Sequence, residues 1–147
     1  MSWFQVLVAC SDVGRRTALV EILAQCGLEP VIAADTSEVR AVFAQRPVHL
    51  AFCEEGLPEG GFREVLRLAK TTGSGVAIVV CSLLGELDQY LEAMQLGAFD
   101  FIAPPYRRDE VESIVKSVRR NYASKPMGGT RPYFQANAES REDEAVA

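Results

Sequence analysis

Residues 49–61, HLAFCEEGLPEGG, place two adjacent carboxylates, Glu54 and Glu55, between an apolar run and a turn rich in glycine and proline. A second short polar segment, Cys10 to Asp12, follows the apolar run near the N-terminus. Carboxylate oxygens bind hard cations such as Mg²⁺, and a cysteine becomes a nucleophile once its thiol loses the proton. The two segments are therefore the first candidates for chemistry, provided that the fold brings them together.

Cys10 is followed, after five residues, by Arg16 and Thr17 in CSDVGRRT. This is the spacing of the loop in low-molecular-weight cysteine phosphatases and the related arsenate reductases, where backbone N–H groups and the arginine hold phosphate while the thiolate attacks. The glycine and asparagine of that loop are replaced by Asp12 and Val13, and Asp12 would repel a phosphate dianion. An enzyme of this type is the alternative function that the sequence leaves open.

The other cysteines and the single histidine indicate structural roles. Four cysteines, at positions 10, 26, 53 and 81, form no CxxC pair, so neither a zinc knuckle nor a thioredoxin-like motif is predicted. Cys53 and Glu54 are consecutive in a predicted strand and must point to opposite faces. We expect buried thiols and no metal site. His49 has no second ligand and is expected to be a partly exposed residue at the start of a strand.

The composition limits the classes of protein that fit. The chain has 147 residues, 48% of them hydrophobic, and a net charge of -5. This length fits one domain plus at most a tail. No apolar run is long enough to cross a bilayer and no signal peptide is visible, so we predict a cytoplasmic protein without membrane contact. The negative charge gives no reason to expect nucleic acid as a direct partner.

Five apolar runs alternate with five segments of helical spacing. The runs cover residues 4–10, 29–34, 48–53, 75–81 and 100–103. The helical stripes consist of Leu19, Ile22, Leu23 and Cys26; Val39, Val42 and Phe43; Val65, Leu66 and Leu68; Leu87, Tyr90, Leu91 and Met94; and Val111, Ile114, Val115 and Val118. Asp12 and either Thr36 or Ser37 are predicted helix caps, while Gly27 and Gly97 are predicted helix ends.

This alternation predicts an α/β fold, a (βα)5 arrangement with a five-stranded parallel sheet between two layers of helices. Most runs are continuous rather than alternating, as expected for strands covered on both faces. The commonest order for five such units is the flavodoxin-like 2-1-3-4-5. Functional groups then gather at the carboxyl ends of strands 1 and 3, which is where Cys10 to Asp12 and Glu54 lie.

The folded domain is predicted to span residues 4–122. Beyond it, residues 123–147 are rich in glycine, proline, alanine and charge, with few bulky apolar side chains to offset chain entropy. We predict a flexible, disordered C-terminal tail. The pair Tyr133–Phe134 is a candidate docking element within it.

Two segments resemble the receiver domain of two-component response regulators: HLAFCEEGLPEGGFREVLR and EAMQLGAFDFIAPPYRRDEVESIV. In that family, an aspartate at the end of strand 3, followed by a Leu-Pro turn, accepts the phosphoryl group. Glu54 holds this position here, with Leu57-Pro58 after it. The resemblance covers residues 4 to 121 and implies the CheY-like receiver fold, with a role in phosphorelay signal transduction.

The same resemblance identifies positions where this chain departs from the family. The acidic pair that holds magnesium in the family falls on Cys10 and Ser11, with Asp12 one step further. The hydroxyl residue that ends strand 4 falls on Cys81, followed by Ser82, and the aromatic switch falls on Phe101. The lysine after strand 5 falls on Pro104, whose bond to Pro105 is a candidate cis peptide. Without the acidic pair and the lysine, magnesium binding is expected to be lost and phosphoryl transfer to fail. No cofactor and no catalytic residue is predicted.

Two interpretations of Glu54 follow from the resemblance. In the first, its permanent negative charge mimics a phosphoryl group and holds the domain in an active-like state. In the second, it is a solvated loop carboxylate without a remaining role. Both describe an atypical receiver, or pseudo-receiver, that is not an enzyme and acts through protein-protein interaction.

The resemblance also implies where partners bind. Related receivers meet other signalling proteins, or form homodimers, through the face built by helix 4, strand 5 and helix 5. The candidate exposed members of this face are Asp88, Gln89, Glu92, Arg107, Arg108, Glu112 and Lys116.

Overall fold

The computed structural model of the chain describes residues 3–72 and 75–123. The strands are β1 (Val6–Ala9), β2 (Val31–Ala33), β3 (Leu50–Glu54), β4 (Ala77–Cys81) and β5 (Asp100–Ile102). The helices are α1 (Val13–Gln25), α2 (Thr36–Gln45), α3 (Gly61–Thr72), α4 (Leu87–Gln95) and α5 (Arg108–Ala123). The predicted tail, with Tyr133–Phe134, lies outside the described residues from position 124 onward.

The five strands form one parallel sheet in the order β2-β1-β3-β4-β5. The register pairs Ala9 of β1 with Cys53 of β3, and Glu54 of β3 with Cys81 of β4. The predicted fold class and strand order are confirmed. Because the winding reverses between β1 and β3, their carboxyl ends border the crevice where such sheets place functional groups.

The core consists of two layers, one on each face of the sheet. Val8 and Phe52 lie on the face covered by α1 and α5, whereas Leu7 and Ala51 lie on the face covered by α2, α3 and α4. Consecutive strand residues point to opposite faces, so double cover requires apolar residues at every position. Within residues 3–72 and 75–123, no helix combines the length and the apolar character needed to span a bilayer.

Helix α1 begins and ends where the sequence predicts. Asp12 is its N-cap, and the Asp12 Oδ2 atom accepts the backbone N–H of Arg15 at 2.8 Å. After the helix, Gly27 has a φ of 81°, a left-handed conformation that glycine adopts without a steric cost.

The predicted cap of α2 is wrong. Asp35, not Thr36 or Ser37, precedes the helix, and its carboxylate accepts the backbone N–H of Glu38 at 2.8 Å. Asp35 has the extended backbone that an N-cap requires, whereas Thr36 is already the first helical residue. The hydroxyls of Thr36 and Ser37 donate instead to Glu59, which ties α2 to the loop after β3.

Helix α4 also differs from the prediction. The spacing of Leu87, Tyr90, Leu91 and Met94 predicts a stripe that packs on the sheet, but Leu87 is 69% exposed and Leu91 is 49% exposed. The buried residue of the helix is Ala93. At 3.6 residues per turn, Ala93 lies about 200° around the axis from Leu91. The helix therefore packs through Ala93, with Met94 of the predicted stripe partly buried against the same core layer, and presents its leucines to solvent.

His49 lies just before β3, within a cluster of aromatic rings at the end of the sheet opposite Glu54. Its Nδ1 atom accepts the backbone N–H of Gln5 at 2.9 Å. The rings of Trp3, Phe4 and Tyr122 lie with centroids 5.2, 5.6 and 4.9 Å from its own. Burial lowers the pKa of the imidazole below its ordinary value of 6.5. The folded protein therefore favours neutral His49.

We expect acidification to destabilise the fold through His49. Because the pKa is lower in the folded state, the unfolded chain binds the proton more readily, and stability falls as pH decreases through 6.5 towards the folded-state pKa. Urea unfolding at about pH 7.5 and about pH 5.5 should show a smaller loss of stability in His49→Gln than in the wild type. Equal losses in the two proteins would contradict this role of His49.

Candidate functional site

The candidate site lies at the carboxyl ends of β1 and β3. Glu54 is the last residue of β3, and Ser11 follows β1 by two positions. The pairing of Ala9 with Cys53 sets the two chain segments side by side where they leave the sheet. The two polar segments predicted from the sequence therefore meet at this edge.

The Glu54 carboxylate turns across the edge towards Ser11. Its Oε1 atom accepts the backbone N–H of Ser11 at 2.8 Å, and the Ser11 hydroxyl donates to Oε2 at 2.9 Å. The guanidinium of Arg15, in the first turn of α1, lies 3.8 Å from Oε1. The Glu54 side chain is 12% exposed. It is a bound and mostly buried carboxylate, which differs from the solvated loop side chain of the second interpretation.

Two opposing effects set the pKa of the Glu54 carboxyl. Burial raises the pKa, but hydrogen bonds from the Cys10 thiol and from the N–H and hydroxyl of Ser11, together with the charge of Arg15, outweigh burial and lower it. Glu54 is therefore ionised at neutral pH. Its interactions contribute stability that is present above the pKa of the unfolded chain and is lost as pH falls through the lower folded-state pKa.

The thiols beside Glu54 remain protonated. Burial, and then the hydrogen bond to Glu54, raise the pKa of Cys10 to about 11. Burial raises the pKa of Cys81 to about 12, although the Tyr106 hydroxyl donates a hydrogen bond to its sulfur and opposes the shift. Cys53 belongs to the core layer on the other face of the sheet, and burial raises its pKa as well. Since the thiolate is the reactive form, these cysteines act here as small apolar side chains.

The geometry does not favour the phosphatase alternative. Cys10 is a thiol with a raised pKa, the Ser11 N–H that would face a phosphate is bonded to Glu54, and the Arg16 guanidinium donates to the Cys10 carbonyl at 3.4 Å. Asp12 occupies the start of α1 as its N-cap. The segment therefore lacks both the thiolate and the open set of N–H donors that phosphate binding needs.

The residues at this edge do not fit the magnesium ion that the receiver resemblance implies. Cys10 offers a protonated thiol, the Ser11 hydroxyl is bonded to Glu54, and Asp12 Oδ2 accepts the N–H of Arg15. Magnesium requires hard oxygen ligands in an octahedral shell. In the described part of the chain, no group of three or more His, Cys, Asp or Glu side chains is arranged to hold a metal.

Glu55 and Ser82 form a second polar pair next to the site, which the sequence analysis missed. The buried Ser82 hydroxyl donates to Glu55 Oε1 at 3.0 Å, and the Glu55 N–H donates to the Cys81 carbonyl at 2.8 Å. The two adjacent carboxylates therefore diverge, with Glu54 directed to β1 and Glu55 directed to the end of β4.

The remaining predicted positions lie along β5 and the loop after it. The half-buried Phe101 ring packs edge-on against Tyr90 of α4, with centroids 5.7 Å apart, and it belongs to the core layer covered by α2, α3 and α4. The peptide bond between Pro104 and Pro105 is cis. Neither proline reaches the space around Glu54, but the next residue, Tyr106, does.

Arg15 and Tyr106 are functional neighbours that sequence reasoning overlooked. Arg15 stands three residues after the cap of α1, so its side chain starts from the same edge of the sheet as Glu54. Tyr106 follows the proline pair and enters from the loop after β5. Their positions in the first turn of a helix and beside a constrained loop are the signals that could have identified them.

Comparison with curated proteins finds regulators and signalling proteins. The chain is 24% identical over 112 residues to sporulation initiation phosphotransferase F of Bacillus subtilis, covering 76% of this chain and 90% of that protein. It is 26% identical over 116 residues to chemotaxis protein CheY of the same species, covering 78% and 97%. No protein-family model matches. A longer relative, "Probable transcriptional regulator ycf27" of Cyanophora paradoxa, is 25% identical over 127 residues. The match covers 86% of this chain but only 52% of that protein.

Solved structures agree with these sequence matches. A CheY-like receiver domain protein of Methanospirillum hungatei superimposes with a TM-score of 0.74 at 22% identity, covering 84% of this chain and all of that one. The beryllofluoride-activated NtrC4 receiver domain, solved as a dimer, gives 0.74 at 19% identity and covers 80% and 98%. The chain has the receiver fold. Within this fold, Glu54 ends the third strand and Ser11 follows the first.

Replacing Ser11 by alanine tests whether this receiver fold holds Glu54 ionised through the Ser11 hydroxyl. The variant loses the hydroxyl donor and keeps the backbone N–H, so the pKa of Glu54 should rise towards its ordinary value. A carbon-13 NMR titration of the Glu54 carboxyl measures this shift. Ser37→Ala, which removes a hydroxyl donor from Glu59, is the matched control and should leave the pKa of Glu54 unchanged. A Glu54 pKa that is the same in Ser11→Ala and the wild type would refute the assignment.

Proposed function

We propose that the chain is an atypical receiver domain of two-component signalling that works without phosphorylation and acts by binding another signalling protein. Similarity to CheY and to sporulation initiation phosphotransferase F supports the signalling role. The observation that carries the proposal is the contact between Ser11 and Glu54, because it occupies the carboxylate with donors from the chain itself.

Phosphoryl transfer to Glu54 would lack electrostatic support. The reaction depends on cations that neutralise the phosphoryl oxygens and position them for attack. Ser11 stands where the family has a carboxylate for the metal, and Pro104 stands where it has a lysine. Glu54, the side chain that would attack, instead accepts hydrogen bonds on both oxygens. We therefore assign it no catalytic role.

A fixed negative charge is the role we assign to Glu54. Its lowered pKa keeps it ionised, and Ser11 and Arg15 hold it at the end of β3. A switch requires an interaction that differs between two states, and the Glu54 charge is present in every state of the folded protein. The domain would therefore bind its partner constitutively, without a switch, as the first interpretation of Glu54 as a permanent phosphoryl mimic implies.

The partner is proposed to bind the exposed apolar side of α4 and the loop before it. We call this the α4 surface, and it consists of Leu83, Leu84, Leu87, Tyr90 and Leu91. Leu84 and Leu87 are 76% and 69% exposed. Single exposed apolar residues are common, but a cluster of four leucines and a tyrosine marks a site of protein interaction. Tyr90 links this surface to Phe101, the aromatic residue of β5.

The charged residues of α4 and α5 differ in how available they are to a partner. Asp88, Arg108 and Lys116 are exposed, as the resemblance implies. Glu92 is half-buried, and both of its carboxylate oxygens are bonded to Arg63 of α3. Glu92 therefore links α4 to α3. The exposed charges, Asp88 on α4 and Arg108 and Lys116 on α5, are available to select the partner through charge complementarity.

Removing leucines from the α4 surface should weaken partner binding and leave the fold intact. Substitutions at exposed positions usually change stability by less than about 0.5 kcal/mol. The double variant Leu87→Ser/Leu91→Ser should bind a partner captured by the wild type at least about tenfold more weakly, measured by calorimetry with the purified partner. Val13→Ser, which alters a residue 63% exposed on α1, is the control and should bind normally. Equal affinity of the wild type and the double variant would exclude this surface.

Incubation with acetyl phosphate and Mg²⁺ should leave the mass of the protein unchanged. The acidic pair that would bind Mg²⁺ is missing, and Pro104 replaces the lysine that would pair with the phosphoryl group. Intact-mass spectrometry reads the result, and a receiver domain that has the family's aspartate, acidic pair and lysine, treated in parallel, is the positive control. A gain of one phosphoryl group by the wild type that is absent in Glu54→Gln would overturn the proposal.

A further inference from the structure

A cavity of about 190 Å³ opens beside Glu54 at the carboxyl ends of β1, β3 and β4. Its inner wall is apolar and consists of Val8, Leu19 and Phe52 with the thiols of Cys10 and Cys81. All five residues are buried. The signalling proposal gives this space no role.

We infer that this cavity binds a small, neutral aromatic molecule that carries one hydrogen-bond donor. A dry apolar cavity of about 150 Å³ is large enough to hold benzene. A cavity of about 190 Å³ therefore has room for a somewhat larger ring system of the size of indole. Val8, Leu19 and Phe52 line its inner end, and this apolar lining suits an apolar ligand.

The charges at the opening determine the polarity of the ligand. Two carboxylates, Glu54 and Glu55, and one guanidinium, Arg15, line the cavity. This balance repels an anion, while the apolar inner wall makes the burial of a cation unfavourable. A neutral molecule meets neither penalty, which favours an uncharged ring.

Glu55 provides the acceptor for the donor group. An ionised carboxylate can accept about four hydrogen bonds. Glu54 already accepts the N–H and the hydroxyl of Ser11, whereas the side-chain oxygens of Glu55 receive the Ser82 hydroxyl at 3.0 Å and retain further capacity. An N–H or O–H group of the ligand therefore bonds to Glu55 while its ring occupies the apolar part of the cavity. This inference needs only the cavity and does not depend on the proposed signalling function.

Methyl NMR of the full chain, titrated with indole, tests the inference. The methyl resonances of Val8 and Leu19 should shift and saturate. Loss of the donor in 1-methylindole should weaken binding about tenfold, and benzoate, an anion, should bind more weakly still. In Glu55→Ala, the affinity for indole should fall to the value for 1-methylindole, because the acceptor is removed.

A blocking variant locates the ligand. Gly56 lines the cavity, and a Cβ atom there would meet no atom within 4 Å, so Gly56→Phe is accommodated without a clash at Cβ. Its ring should compete with the ligand at the edge of the cavity and abolish the shifts. Ala24→Phe places the same ring on an exposed part of α1 and should leave binding intact. The inference is overturned by shifts that persist in Gly56→Phe, by shifts confined to Leu87 and Leu91, or by no shift at the solubility limit of indole.

Discussion

The parallel pairing of β1 with β3 is the constraint on which the rest of the site depends. It brings Ser11 and Glu54 within 2.8 Å although they are 43 positions apart in the chain. The register is fixed by the core, because a shift of one residue would turn Val8 and Phe52 out of their packing layer and reverse the face of every side chain in the strand. The position of the Glu54 carboxylate is thus determined by apolar packing several residues away.

This constraint creates a buried charge, and the protein compensates it with its own groups. Ser11 supplies a main-chain N–H and a hydroxyl, and Arg15 supplies a positive charge at longer range. Hydrogen bonds to an ionised carboxylate are stronger than those between neutral groups. Cys10 and Cys81, buried nearby, are uncharged and so add no second negative charge. The charge of Glu54 is therefore compensated by residues of its own chain.

Periodicity in the sequence was sufficient to predict the order of strands and helices, since continuous apolar runs and helical stripes reflect burial directly. It was insufficient for α4, because a stripe of leucines has the same spacing whether it faces the sheet or a partner, and the burial of Ala93 decides the orientation. The α2 cap shows a similar limit: Asp35, Thr36 and Ser37 can all cap a helix, and only the backbone conformation selects Asp35. The contact between Ser11 and Glu54 depends on side-chain rotamers that no linear pattern encodes.

The carboxylate at the end of β3 differs from an acyl phosphate in its lifetime. An acyl phosphate hydrolyses, so a domain that carries one returns to its resting state at a rate set by water. The charge of Glu54 is part of the covalent chain, and its pKa keeps it ionised at neutral pH. Its lifetime is therefore the lifetime of the polypeptide. Under the role proposed for Glu54, the strength of the output would be set by the abundance of the protein, and synthesis and proteolysis would take the place of a kinase and a phosphatase.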